Sequence, residues 1–401
     1  HYPLRRQRQM CIRDSVGTAS QAAQPGGFRR AHLRTVLEES GQELSGYAAT
    51  PLISHLNPRR RGPMLTGATI RLLDGTEIRY RSRAFRKGRL PQVLYLPDGS
   101  TPEPLFERCH VWRPRSIPFW GSSTFLIGAI LFTEGSLAWM LPGIGDEDHG
   151  ADPGLAAATV SWPYFIGSLW FGAGCYLGFV EVINANLQEE LQAIEPDGVM
   201  RIPKMPSAAG WDLARHWDTD RGKIQRFSAV RALPPHSFLG WLRSLSWWRT
   251  QTGSLLWWGV FVQLIGGCMF SIACFSGLPG KLPGMGGEVL WVYTTSLLGS
   301  CGFVFNSWVF VLEESNDDRV CAPPSPLTIG FVVAWLNLLG SILFLIASIG
   351  YFIASEQIGL LPVEWDYMAS EWGVRFTYGV GSALFMIAAS LGLVEILVFV
   401  D

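Results

Sequence analysis

Residues 164–181 read YFIGSLWFGAGCYLGFVE, and the pattern of this stretch returns twice farther along the chain. A displacement of 132 positions turns Gly167, Ser168, Phe171 and Glu181 into Gly299, Ser300, Phe303 and Glu313. A displacement of 214 gives Gly381, Ser382, Phe385 and Glu395. Each copy is preceded by another apolar run with its own shared spacing: Gly128 and Phe132, Gly266 and Phe270, Gly340 and Phe344. A unit that recurs whole is the signature of a repeat architecture, here a two-helix hairpin present three times.

Working outward, the composition places those hairpins in a bilayer. The chain has 401 residues, of which 48% are hydrophobic and only 16% charged, against about 25% charged in soluble domains. A helix needs about 20 apolar residues to cross the hydrocarbon core. Six runs qualify, near 118–141, 161–183, 254–276, 289–312, 328–353 and 373–398. The expected fold is therefore all-α integral membrane, with six transmembrane helices as three parallel two-helix repeats. A small β-containing segment precedes them.

Charge orients the spans. Of the 32 Lys and Arg, 20 precede the first span and 9 lie between the second and third. The loop holding Asp146, Glu147, Asp148 and Asp152 has no basic residue. The positive-inside rule then puts both termini in the cytoplasm. The membrane itself is not specified.

The segments between spans differ in kind. Residues 1–63 read as a linker region, with a short helix over 30–45. HYPLRRQRQMCIRDS at 1–15 resembles translated sequencing-adapter read-through and is set aside from the fold reasoning, an Arg-rich transit segment being the alternative. Residues 64–110 form a small β-containing cytoplasmic module, with strand patterns at 68–73, 77–83 and 92–96 and turn signals at Asp74-Gly75 and Asp98-Gly99. Its expected task is to pack on the helix ends. The membrane hairpins then occupy 111–188, 251–316 and 326–401. Between the first two lies a cytoplasmic insertion, 189–250, whose SFLGWLRSLSWW run at 237–248 predicts a helix lying on the inner leaflet.

Polar groups inside apolar spans are functional suspects. Counted from Trp162, Glu181 lies ~28 Å along its helix and so at the cytoplasmic boundary. If the even-numbered spans face a common axis, Glu181, Glu313 and Glu395 make an acidic ring of the kind that lines cation pathways. If they face outward, they are charges at head-group level. Glu134, inside the first span, joins them as a candidate for a polar pathway, and the blander reading pairs it with Arg375. Gln263, Asn306 and Asn337 are expected at one depth, where they would hydrogen-bond between helices. Gly167, Ser168, Phe171, Gly299, Ser300, Phe303, Gly381, Ser382 and Phe385 are the expected packing motif, small residues admitting close approach.

The GSxxF signature resembles that of the YrhK-like family of small membrane hairpin proteins. It stands here as Gly167-Ser168-Leu169-Trp170-Phe171, Gly299-Ser300-Cys301-Gly302-Phe303 and Gly381-Ser382-Ala383-Leu384-Phe385. The resemblance implies integral membrane location and brings no catalytic residues. No GxSxG or HExxH stands in the chain, and the expectation is no enzyme, no cofactor and no metal. The expected function is a membrane scaffold or sensor binding lipid, anionic head groups or a protein at the cytoplasmic face, with no nucleic-acid partner. The alternative is a small-solute or cation channel or transporter. A polar path between the helices would discriminate the two.

Overall fold

A computed structural model describes residues 53–61, 64–72, 77–87, 92–95, 116–141, 143–144, 152–184, 238–280, 285–315, 322–324, 327–353 and 369–397. The helix expected over 30–45 lies outside these residues.

The first elements form an antiparallel sheet in the order β1-β2-β3-β4: Ile53–Arg61, Met64–Leu72, Glu77–Arg81 and Gln92–Tyr95. The turn signal at Asp74-Gly75 does join paired strands, Ile70 lying opposite Ile78. Two expectations are corrected. Residues 53–61, expected as linker, pair with β2 along their length. Pro58 and the three arginines at 59–61 hide strand character, because an edge strand tolerates Pro and charge. The run 77–83 stops as a strand at Arg81, and Ser82–Arg86 turns into the short helix α1.

Among the described residues six helices are long and apolar enough to cross a membrane, so the chain is a multi-pass integral membrane protein. They are α2 (Ile117–Met140), α3 (Trp162–Asn184), α5 (Leu255–Ser276), α6 (Thr295–Glu314), α7 (Ile329–Ile353) and α8 (Thr377–Leu397). Between α3 and α5 lies α4 (Phe238–Ser244). Oxygen caps start several of them: Ser116 accepts from Phe119 N, Ser254 from Trp257 N and Thr328 from Phe331 N. The helices α3, α6 and α8 are each entered through a π-helical turn, at Ala157–Ser161, Val289–Thr294 and Ala369–Phe376. Ile130, Leu169, Trp170, Leu298 and Ile346 stand exposed on the outside, a surface suited to hydrocarbon rather than water.

Consecutive spans pack as antiparallel pairs through the glycines. A methyl group at Gly128 would sit 2.9 Å from the Gly167 carbonyl oxygen. At Gly266 it would sit 2.8 Å from that of Gly299, and at Gly340 3.1 Å from that of Gly381. Backbones this close leave no room for a side chain, and the gain is dispersion along the whole crossing.

The phenylalanines of both motifs meet in the centre as two stacked triangles. Phe132, Phe270 and Phe344 form one, with centroids 5.6, 5.7 and 6.3 Å apart. Phe171 lies 5.3 Å from Phe303 and 5.5 Å from Phe385 in the other. The triangles are joined by the contacts Phe132 to Phe171, Phe270 to Phe303 and Phe344 to Phe385, at 5.7, 6.0 and 5.2 Å. This prism of rings fills the middle of the bundle.

Candidate functional site: a basic helix on a carboxylate cluster

Glu181, Glu313 and Glu395 end their spans at one level, and all three are buried. What makes that tolerable is α1. Arg83 gives Glu395 a two-pronged bond, Nε to Oε1 at 3.2 Å and Nη2 to Oε2 at 2.9 Å. Arg86 spans two carboxylates, with Nη1 to Glu181 Oε1 at 2.8 Å and Nη2 to Glu313 Oε2. Lys87 Nζ donates to Glu181 Oε2 at 2.9 Å. The spacing of 83, 86 and 87 is i, i+3, i+4, which a helix gathers on one face and a strand would split between two. That is why the strand at 77–83 expected from sequence hid these partners.

Neighbouring groups complete the cluster. Phe310 lies under both guanidinium groups, its centroid 6.0 Å from the carbon of Arg83 and 5.5 Å from that of Arg86. Glu314 accepts from Thr328 Oγ1 at 3.0 Å on the Arg83 side. Met64 of β2 is buried together with Trp257 and Val260 of α5, so the sheet is anchored on the bundle by apolar contact as well.

The charge states follow from burial against partners. Burial works to lower the pKa of Arg83, and Glu395, aided by Glu314 and Glu313, outweighs it, so the net direction is up. For Arg86 burial is likewise the largest influence, and Glu313 and Glu181 overcome it. For Lys87 burial prevails over Glu181 and the pKa is lowered. Lys87 is the base in this cluster whose proton is held least firmly.

Beneath the cluster is a cavity of about 100 Å3, lined by Arg83, Arg86, Lys87 and Glu181 above and by Phe171, Phe303 and Phe385 below. Gln263, Asn306 and Asn337 line its wall, as their equivalent depths predict. Asn306 Nδ2 donates to Gln263 Oε1 at 2.6 Å across α5 and α6, whereas Asn337 bonds the Val333 carbonyl of its own helix. The amide contact expected among all three is thus made by two. Arg86 Nε is buried without a hydrogen-bond partner at the cavity roof, a donor that a water in the cavity would satisfy.

One expectation does not hold. Glu134 is exposed on the outer stripe of α2 formed with Ile127, Ile130 and Leu137, because Gly128, Phe132 and Gly135 turn the opposite face inward. It joins neither the carboxylate cluster nor the cavity. Arg375 is buried at the far end of the bundle with its guanidinium 5.3 Å from the Trp139 ring.

The insertion also docks differently from a helix lying on a surface. α4 ends at Ser244, short of the expected 248, and Asn184 then clamps Ser246 at both backbone groups, at 2.7 and 2.8 Å. Trp241 and Leu245 are buried against the ends of α2 and α3, while Phe238, Leu239, Trp247 and Trp248 stay exposed.

The cluster can hold the sheet in one register on the ends of the helices. Among the described residues no three His, Cys, Asp or Glu side chains are grouped to hold a metal ion. In comparisons with known proteins, no family model, no curated protein and no solved structure matches this chain.

Proposed function

We propose that this chain is a non-enzymatic membrane scaffold or sensor, built as three parallel YrhK-like hairpins about a pseudo-threefold axis with both termini in the cytoplasm. Its β module is a cytoplasmic cap that the basic helix α1 seats on the axis. One observation carries this reading: Arg83, Arg86 and Lys87 meet Glu395, Glu313 and Glu181 in a buried set of ion pairs. Such pairs add little net stability over apolar contact, since desolvation offsets the attraction, but they fix which surfaces meet. A cap held by matched charges is a two-state element, and a partner or anionic lipid head groups at the cytoplasmic face shift it by binding one state better. Hydrogen exchange on the full chain in nanodiscs tests this. With Glu181, Glu313 and Glu395 all changed to Gln, protection of residues 77–87 should fall while that of 164–180 is kept. Equal protection of 77–87 in both proteins would sink the docking role.

A second reading, a cation pathway along the axis, is favoured by the cavity under the carboxylates, whose wall carries Gln263, Asn306 and Asn337. The phenylalanine prism closes that path on the other side. Potassium efflux from proteoliposomes decides it: R83Q/R86Q should raise efflux, and adding the three Glu→Gln changes should abolish the rise. No efflux from any of these proteins removes the pathway reading.

A further inference from the structure

A second cavity, of about 210 Å3, lies away from the axis where α2 begins and α3 ends. Ile117 and Trp120 form one wall, Leu177 and Val180 the next, and Trp241, Leu242 and Leu245 close it from the side of α4. Phe238 and Trp247, both exposed, stand at its mouth. Every lining side chain is apolar apart from the indole nitrogens, so water inside would find too few partners to stay. A hydrocarbon chain would not face that cost.

We propose that this groove holds one acyl chain of an anionic phospholipid, with the head group beside Arg243. The position argues for lipid: the groove is bounded by the ends of two membrane-crossing helices, at the depth where a phospholipid's glycerol region gives way to its chains. The charge argues for an anionic one. Arg243 is exposed in the last turn of α4, between Leu242 and Leu245, both of which line the groove. Basic side chains at that level attract anionic head groups. The exposed rings of Phe238 and Trp247, with Leu239 and Trp248 on either side, make the mouth an aromatic rim of the kind that settles at a membrane boundary. The inference rests on the membrane reading of the six helices and not on the cap.

The test uses the full chain in nanodiscs containing phosphatidylglycerol that carries a diazirine on its acyl chain, with cross-links mapped by mass spectrometry. Phosphatidylcholine with the same chain is the matched probe. Expected are cross-links on residues 117–120, 177–180 and 241–247, several-fold more abundant with phosphatidylglycerol. Leu177→Trp, which fills the groove, should remove them, and Arg243→Gln should remove the head-group preference. Trp170 and Trp308, exposed on the spans, report ordinary bilayer contact in the same experiment. Label at those tryptophans without label in the groove overturns the site and leaves the membrane reading standing. Equal labelling by the two lipids overturns the anionic assignment. Absence of label at Trp170 and Trp308 themselves would overturn the membrane reading, and the lipid site with it.

Discussion

At the scale of single residues, the arithmetic of the charge cluster ranks its members. Arg86 bridges two buried carboxylates, so Arg86→Gln strands both, and breaking a buried pair by removing one partner costs about 3–5 kcal/mol. Arg86→Lys should recover little of that, because an ammonium lacks the planar fork that reaches Glu181 and Glu313 together. Lys87→Gln should cost about 1 kcal/mol, since Glu181 keeps its bond from Arg86 and burial already disfavours the lysine's charge. Denaturant midpoints for the cap, read by hydrogen exchange over residues 77–87, check the order. A Lys87 variant as damaging as the Arg86 variants would show that the fork geometry is not what matters.

At the scale of elements, the helix pairs depend on what is missing from the glycines. Gly266→Ala puts a methyl group 2.8 Å from a carbonyl oxygen that cannot move without its helix. Overpacking of this kind costs about 1–3 kcal/mol. Gly178, with nothing within 4 Å of a Cβ, should accept Ala at no measurable cost and serves as the control. Unfolding in SDS titrations of the purified protein compares the two. Phe303→Ala opens a hole where both triangles of rings touch, and the same titration should show a loss of about 3–5 kcal/mol. The pairing itself was legible, because Gly and Phe recur in register at 128 and 132, 266 and 270, and 340 and 344. The short helix α1 was not, because Glu77 to Arg83 alternates as a strand does and only docking on the carboxylates favours a turn of helix at Ser82.

At the scale of the whole molecule, the middle of the bundle is divided into layers: ion pairs at one end, a cavity with amides in its wall, then a plug of aromatic rings. The proposed topology places Gly143 and Gly280, in turns that follow α2 and α5, on one side of the membrane and Ser246 on the other. In a background without native cysteines, Cys at 143 or 280 should react with a membrane-impermeant maleimide added to intact cells, and Cys at 246 only after lysis. Reaction of all three in intact cells would break the parallel arrangement.

The sequence by itself determined that six apolar helices exist, roughly where they start and stop, which small residues lie at their crossings and that a carboxylate ends three of them. Those are properties of local composition and spacing, readable wherever the pattern along one helix carries the information. Only the tertiary structure decided which way each helix is rotated. That rotation turns Glu134 outward, brings Glu181, Glu313 and Glu395 together, and presents them with two arginines and a lysine that are far away in sequence. A buried carboxylate must find a cation somewhere, but its electrostatics do not say which one; that choice belongs to the packing of a whole sheet on the bundle's end.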